Sequence, residues 1–226
     1  MRVMKEIGEV GTEQCMEQTH LDVFQEIKPE KKMSVASAAS FVRDLFESAG
    51  KMDLREKMYM YDESDFDLEF DFDAEVDQSL EAFTPEIWAE MGDEERKESI
   101  GKLVDVLNDK FDIGGKTGVT YYRAPLDDCG FYNEQFREIG LNIETFENPK
   151  EVLDTIAHEM KHAYQRYRAD QGITYMDQLY KYNFEHYVVP LQDKRGNFVN
   201  YFAYTNQYVE AEARAFANIF TERMGF

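Results

Sequence analysis

Hydrophobic positions change their spacing several times along this chain, and each change predicts an element. Up to about Lys32 the residues are polar and weakly patterned, which predicts a loosely packed start. From Ser34, in the N-cap position, Val35, Ala38, Ala39, Val42, Leu45 and Phe46 recur at helical spacing as far as Gly50, predicting a packing helix. The run D-F-D-L-E-F-D-F-D-A-E-V-D, Asp65 to Asp77, then alternates at period two. Phe66, Leu68, Phe70, Phe72, Ala74 and Val76 would share one face of a strand and seven acids the other. An amphipathic strand over a core is the expected form. The same alternation also fits an acidic-hydrophobic segment that folds on a partner, or an acidic face that mimics phosphates or masks a basic cleft.

The remainder reads as helices around a small sheet. T-P-E-I-W-A-E-M predicts a short helix with Thr84 as cap, Pro85 at the first helical position and Trp88 buried. A longer helix capped by Asp93 follows, with Ile100, Leu103, Val104, Leu107 and Phe111 on its stripe and Gly114-Gly115 as its stop. Between Gly118 and Phe146 the pieces G-V-T-Y-Y-R, C-G-F-Y and I-G-L-N-I, separated by turn formers, predict a small antiparallel sheet. N-P-K-E then opens a helix, with Asn148 as cap, Pro149 in the first turn and Glu151 reaching back in a capping box. Its stripe is Leu153, Ile156, Ala157, Met160, Tyr164 and Tyr167, which leaves His158 and His162 together on the neighbouring face. A tyrosine-rich stretch, a turn at K-R-G-N and a final helix from about Asn206 complete the chain.

Composition narrows the chemistry. At 226 residues with 43% hydrophobic positions, the chain fills one good-sized domain, or a catalytic domain with an extension. No apolar run approaches the roughly 20 residues needed to span a bilayer, and M-R-V-M-K-E-I-G-E-V carries acids where a secretory signal is apolar. The expected location is cytoplasmic, or one reached without a conventional signal peptide. Cys15 and Cys129 match no metal-knuckle spacing. A formal charge of -21 argues against nucleic-acid and anionic-membrane binding and favours basic partners.

Two of the four histidines stand in T-I-A-H-E-M-K-H-A-Y-Q. Side chains at i and i+4 lie one above the other on a helix, so His158 and His162 can offer two imidazole nitrogens to one ion. Glu159, one position round, can reach a water on that ion as a base. A catalytic zinc needs a third protein ligand and an open position. His186 and the final helix, with Glu210 and Glu212 in Y-V-E-A-E-A-R-A-F-A, supply the candidates. The small residues Ala211, Ala213, Ala215 and Ala217 allow close helix packing there.

HExxH on one helix followed by E-x-x-A in a second helix of the form ExEAxxFA resembles the gluzincin branch of zincin-like metallopeptidases. The wording is most similar to compact zincin domains of bacterial toxin and mobile-element proteins. The resemblance covers about Phe83 to the C-terminus. It implies an α+β fold, a mostly helical zincin-like domain over 83–226 with the small antiparallel sheet before the HExxH helix; the N-terminal acidic helical or extended region over 1–82 lies outside the resemblance. It implies Zn2+ on His158, His162 and Glu210, with Glu212 as the alternative third ligand, and Glu159 as general base for a zinc-activated water attacking a peptide bond. The edge strand of the sheet would pair with an extended substrate, and I-G-L-N-I is similarly placed. Many gluzincins carry an Asp four residues after the ligand Glu to orient a histidine; this chain has Arg214 there, and Asp154, one turn before His158, is a substitute.

Tyr204, Tyr208 and His186 are candidate donors to the oxyanion. The expected partner is a protein or peptide substrate, with basic ones favoured by charge. Two other readings stay open. One is an acidic interaction or nucleic-acid-mimic module on an inactive zincin-like scaffold; the other is a structural zinc site closed by four ligands.

Overall fold

Local side-chain chemistry sets where the first described helix begins. The computed structural model describes Tyr61, Asp65, Phe66 and residues 68–226 apart from 127, 196 and 197, so the helix expected from Ser34 to Gly50 and Cys15 lie outside the described residues. In chain order come α1 (Ala74–Leu80), a 3-10 turn (Glu81–Phe83), α2 (Pro85–Glu90), α3 (Asp93–Phe111), β1 (Gly118–Tyr122), β2 (Gly130–Asn133) and β3 (Glu138–Asn142). A second 3-10 turn (Ile143–Thr145) leads to α4 (Pro149–Gln171), α5 (Tyr175–Glu185), α6 (Tyr201–Thr205) and α7 (Tyr208–Arg223). The fold is α+β and mostly helical, with the small sheet ahead of the later helices.

The acidic alternation is not a strand: residues 68–73 pair with no ladder, and α1 starts at Ala74. The Asp73 carboxylate accepts the backbone N–H groups of Glu75 and Val76, both at 3.1 Å. This is an N-cap that competes with sheet pairing. The apolar half of the pattern is still used. Phe70 and Phe72 meet at 4.9 Å between ring centres and pack on Phe220 of α7 at 5.1 and 4.9 Å. Two of the acids make ion pairs, Asp73 with Lys110 and Asp77 with both donor arms of Arg223 at 2.6 and 2.7 Å.

Two expected caps differ in detail. Thr84 does hold the N-cap position of α2, but its hydroxyl donates to the Glu81 carbonyl at 3.0 Å and makes no capping bond. Gly92 takes the N-cap position of α3, where Glu95 accepts its N–H at 2.8 Å and Asp93 is already helical. Asp112, in the left-handed region at φ 46, ends that helix just before the two glycines.

The core gathers Ile100, Leu103 and Leu107 of α3, Leu153, Ile156 and Met160 of α4, and Phe216 and Phe220 of α7. Burying each such side chain contributes about 1.5–3 kcal/mol. Trp88 stacks on Phe83 at 5.0 Å and donates its indole N–H to the Phe146 carbonyl at 2.6 Å. That bond ties α2 to the start of the site-bearing half.

The sheet runs β1-β3-β2 and is mixed: β2 pairs antiparallel with β3, but β1 pairs parallel with it. Asn142, buried at the end of β3, fastens this arrangement. Its Nδ2 donates to the carbonyls of Ala124, Pro125 and Asp128 at 3.0, 3.1 and 2.7 Å, holding the β1–β2 connection at the end of β3. I-G-L-N-I therefore lies on the central strand, and the edges are β1 and β2. β2 lies close against α4. A Cβ on Gly130 would come within 2.4 Å of Thr155 Cγ2 and 2.8 Å of the Gly140 carbonyl oxygen. Gly130→Ala is expected to destabilise the protein by about 1–3 kcal/mol in urea unfolding; an unchanged midpoint would mean that β2 stands farther from α4.

Candidate metal centre

α4 begins and ends on strong signals. The Asn148 side chain accepts the Glu151 N–H at 3.4 Å, Pro149 fills the first turn, and Gly172 closes the helix in the left-handed region at φ 60. The Glu151 carboxylate does not reach back in a capping box; it accepts the Cys129 thiol at 3.0 Å. Within this helix the four-residue spacing brings the Nε2 atoms of His158 and His162 to 3.1 Å. α7 packs along α4, with Ala211, Ala213 and Ala217 buried. From its first turn Glu210 places Oε2 at 3.5 Å from His158 Nε2 and Oε1 at 3.3 Å from His162 Nε2.

These distances test whether an ion fits. A tetrahedral zinc with ligand bonds of about 2.0–2.1 Å separates neighbouring ligand atoms by about 1.63 bond lengths, or about 3.3–3.4 Å. The two imidazole Nε2 atoms stand 3.1 Å apart and each faces a different Glu210 oxygen, at 3.5 and 3.3 Å, so each pair of groups is spaced near that value and both rings and the carboxylate can reach one ion. Among the described residues this group holds three donors, two imidazoles and one carboxylate.

Electrostatics follow from burial and mutual charge. Burial opposes a charged Glu210, yet hydrogen bonds from both imidazoles outweigh it and hold the carboxyl far below the usual carboxylate range. For His162, burial pulls the pKa down, but the bond and charge of Glu210, with Glu159 behind them, leave it raised from 6.5 to about 9. Glu159 is pushed up, mainly by burial, against the pull of both imidazoles and a hydrogen bond from the Tyr132 N–H. That bond identifies β2 as the sheet edge beside the site. Asp154 is also raised by burial, with His158 near enough to favour its charged form.

Two tyrosines outside the helices' repeating patterns complete the centre. The Tyr187 hydroxyl donates to Glu210 Oε1, and Tyr204 shares hydrogen bonds with both Tyr187 and Glu210. Burial and the Glu210 charge raise both phenols. The excursion between them is closed at its base by Gln207, whose Oε1 accepts the Val188 N–H at 2.6 Å and whose Nε2 donates to the Val188 carbonyl at 2.9 Å. Inside it, Asn200 accepts the Leu191 N–H at 2.7 Å and donates to the Val189 carbonyl at 2.8 Å.

The other sequence candidates lie elsewhere. Glu212 is fully buried but turned away from the ligand group, accepting from Tyr180 and Gln165. His186 is exposed at the end of α5, stacked on Tyr182 at 4.2 Å with Nδ1 2.9 Å from the Tyr182 carbonyl. Tyr208 donates to the Asp65 carbonyl at 3.0 Å and packs with Tyr61 and Phe66. Arg214 donates to the Thr205 carbonyl. Two contributors were missed: Tyr187, which no periodicity links to Glu210, and Gln165, whose place three residues after His162 was a readable signal.

No described helix is long and apolar enough to cross a membrane. Comparison with protein-family models, curated proteins and solved structures finds no match.

Proposed function

We propose that the chain is a zinc-dependent metallopeptidase, with His158, His162 and Glu210 as ligands and Glu159 as general base. The observation that carries this reading is the three-donor group with a buried carboxylate, Glu159, beside it and outside it. Two nitrogens and one oxygen suit zinc, and three protein ligands among the described residues instead of four leave a position for substrate or water, which separates a catalytic from a structural site. A zinc ion held there supplies Lewis acidity, drawing the pKa of a water toward about 7 and polarising a carbonyl.

The protein's own groups do the rest. Glu159 takes a proton from the attacking water as the new C–O bond forms, then delivers it to the amine nitrogen as the C–N bond breaks. Tyr187 and Tyr204 hold Glu210 in place, and Tyr204 is the candidate donor to the developing oxyanion. β2, the sheet edge beside Glu159, is where an extended peptide would lie. A charge of -21 favours basic peptides.

Elemental analysis tests the reading. One zinc per chain is expected in the wild type and none in His158→Ala or Glu210→Ala; no zinc after reconstitution, or no cleavage of any peptide in a mixed library by the loaded protein, would overturn it. Binding should also release a proton. With its pKa raised from 6.5 to about 9, His162 holds a proton in the ion-free fold near neutral pH. This proton stabilises the ion-free fold fully below about 6.5, and its contribution disappears as pH rises through about 9. Zinc must displace it, so apparent affinity should climb with pH and level off above about 9. Calorimetry in buffers of different ionisation enthalpy measures the released proton.

A further inference from the structure

We propose that Glu212 is a positioning residue for this centre: acting through Gln165, it fixes the tautomer and orientation of the His162 ring so that Nε2 faces the other ligands.

The argument starts from Gln165, which is fully buried. One end of its amide lies 3.0 Å from the Val209 carbonyl oxygen and 2.8 Å from Glu212 Oε2. A backbone carbonyl can only accept, so this end is the NH2 group and the opposite end is the oxygen. That oxygen lies 2.8 Å from His162 Nδ1. An oxygen there can only accept, so Nδ1 carries the hydrogen, and the lone pair of the neutral ring falls on Nε2, the atom in the ligand group.

Glu212 anchors the other end of this relay. Its Oε1 accepts the Tyr180 hydroxyl at 3.0 Å and lies 3.5 Å from the Lys161 ammonium, so donors face both oxygens. Lys161 in turn lies over the rings of Tyr164 and Phe216 at 5.1 and 5.2 Å. A buried ion pair adds little to stability compared with an apolar packing of the same volume. What apolar packing cannot supply is direction, and here each hydrogen bond orients the next until the imidazole is set. Val209 and Glu212 both belong to α7, the helix that carries Glu210. One helix therefore provides the third ligand and orients the second.

The inference rests on the metal-centre reading only for its affinity measurement; the tautomer is read in zinc-free protein. Long-range 1H–15N spectra of His162, taken at a pH where the ring is neutral, should show hydrogen on Nδ1 in the wild type. In Gln165→Met the signal should move toward the Nε2–H form, and zinc affinity by chelator competition should fall about 10- to 100-fold. The double variant Lys161→Met/Glu212→Leu removes both buried charges and leaves Gln165 in place; a shift in the same direction is expected. An Nε2–H ring in the wild type would overturn the inference. So would variants that lower the melting temperature while leaving tautomer and affinity unchanged. A wild type that binds no zinc but shows the Nδ1–H ring would overturn the peptidase reading and leave this one standing.

Discussion

Replacing Glu159 with glutamine is expected to lower peptide turnover by about 10²–10⁴-fold while leaving zinc content at one per chain. Glu159 is buried and lies outside the ligand group, so its loss does not subtract a donor from the ion. Glutamine has nearly the same shape, and its carbonyl oxygen can still accept the Tyr132 N–H that now reaches Glu159. What the amide cannot do is take a proton from water and return it to the leaving amine. The kinetic signature should therefore be a reduced kcat with little change in KM. Turnover retained at the wild-type level in a variant of verified zinc content would eliminate Glu159 as the base.

Zinc should also stabilise the fold strongly. A ligand that binds only the folded state at a thousand times its dissociation constant contributes about 4.1 kcal/mol. For a chain of this size, that corresponds to a melting temperature higher by about 8–16 °C. The rise should appear equally in the wild type and in Glu159→Gln, because both keep His158, His162 and Glu210. In Glu210→Ala it should vanish, and chelator should reverse it in the other two. An equal rise in Glu210→Ala would place the bound ion somewhere else.

Much of the site was legible because its key spacing is local. His158 and His162 sit one turn apart on a helix announced by Asn148 and Pro149, so their shared face followed from helical geometry alone. Which acid joins them was not legible from spacing, and only the resemblance favoured Glu210 over Glu212. Glu210 and Glu212 are both buried on the same helix, and only the packing of α7 against α4 turns the first toward the imidazoles and the second toward Gln165 and Tyr180. The sheet illustrates a second limit. Period and composition marked three extended pieces, yet strand order depends on tertiary contacts such as those of Asn142, whose side chain holds the β1–β2 connection at the end of β3. Strict alternation from Asp65 to Asp77 misled for a third reason. An extended segment with no ladder partner satisfies the same period, and Asp73 converts its end into a helix start.

The Gln207 clip has a consequence for how this protein can vary. Because it binds both backbone groups of Val188, Gln207 holds the two ends of the segment between them together at a fixed gate. Doubling the length of such a closed loop costs only about 0.6 kcal/mol. The segment is therefore expected to tolerate exchange like a cassette. Insertions between Gln192 and Phe198 can change what the protein surface presents next to Tyr187 and Tyr204 without moving the backbone that carries Glu210. A new recognition segment grafted there would sit beside the metal centre on a scaffold that need not be redesigned.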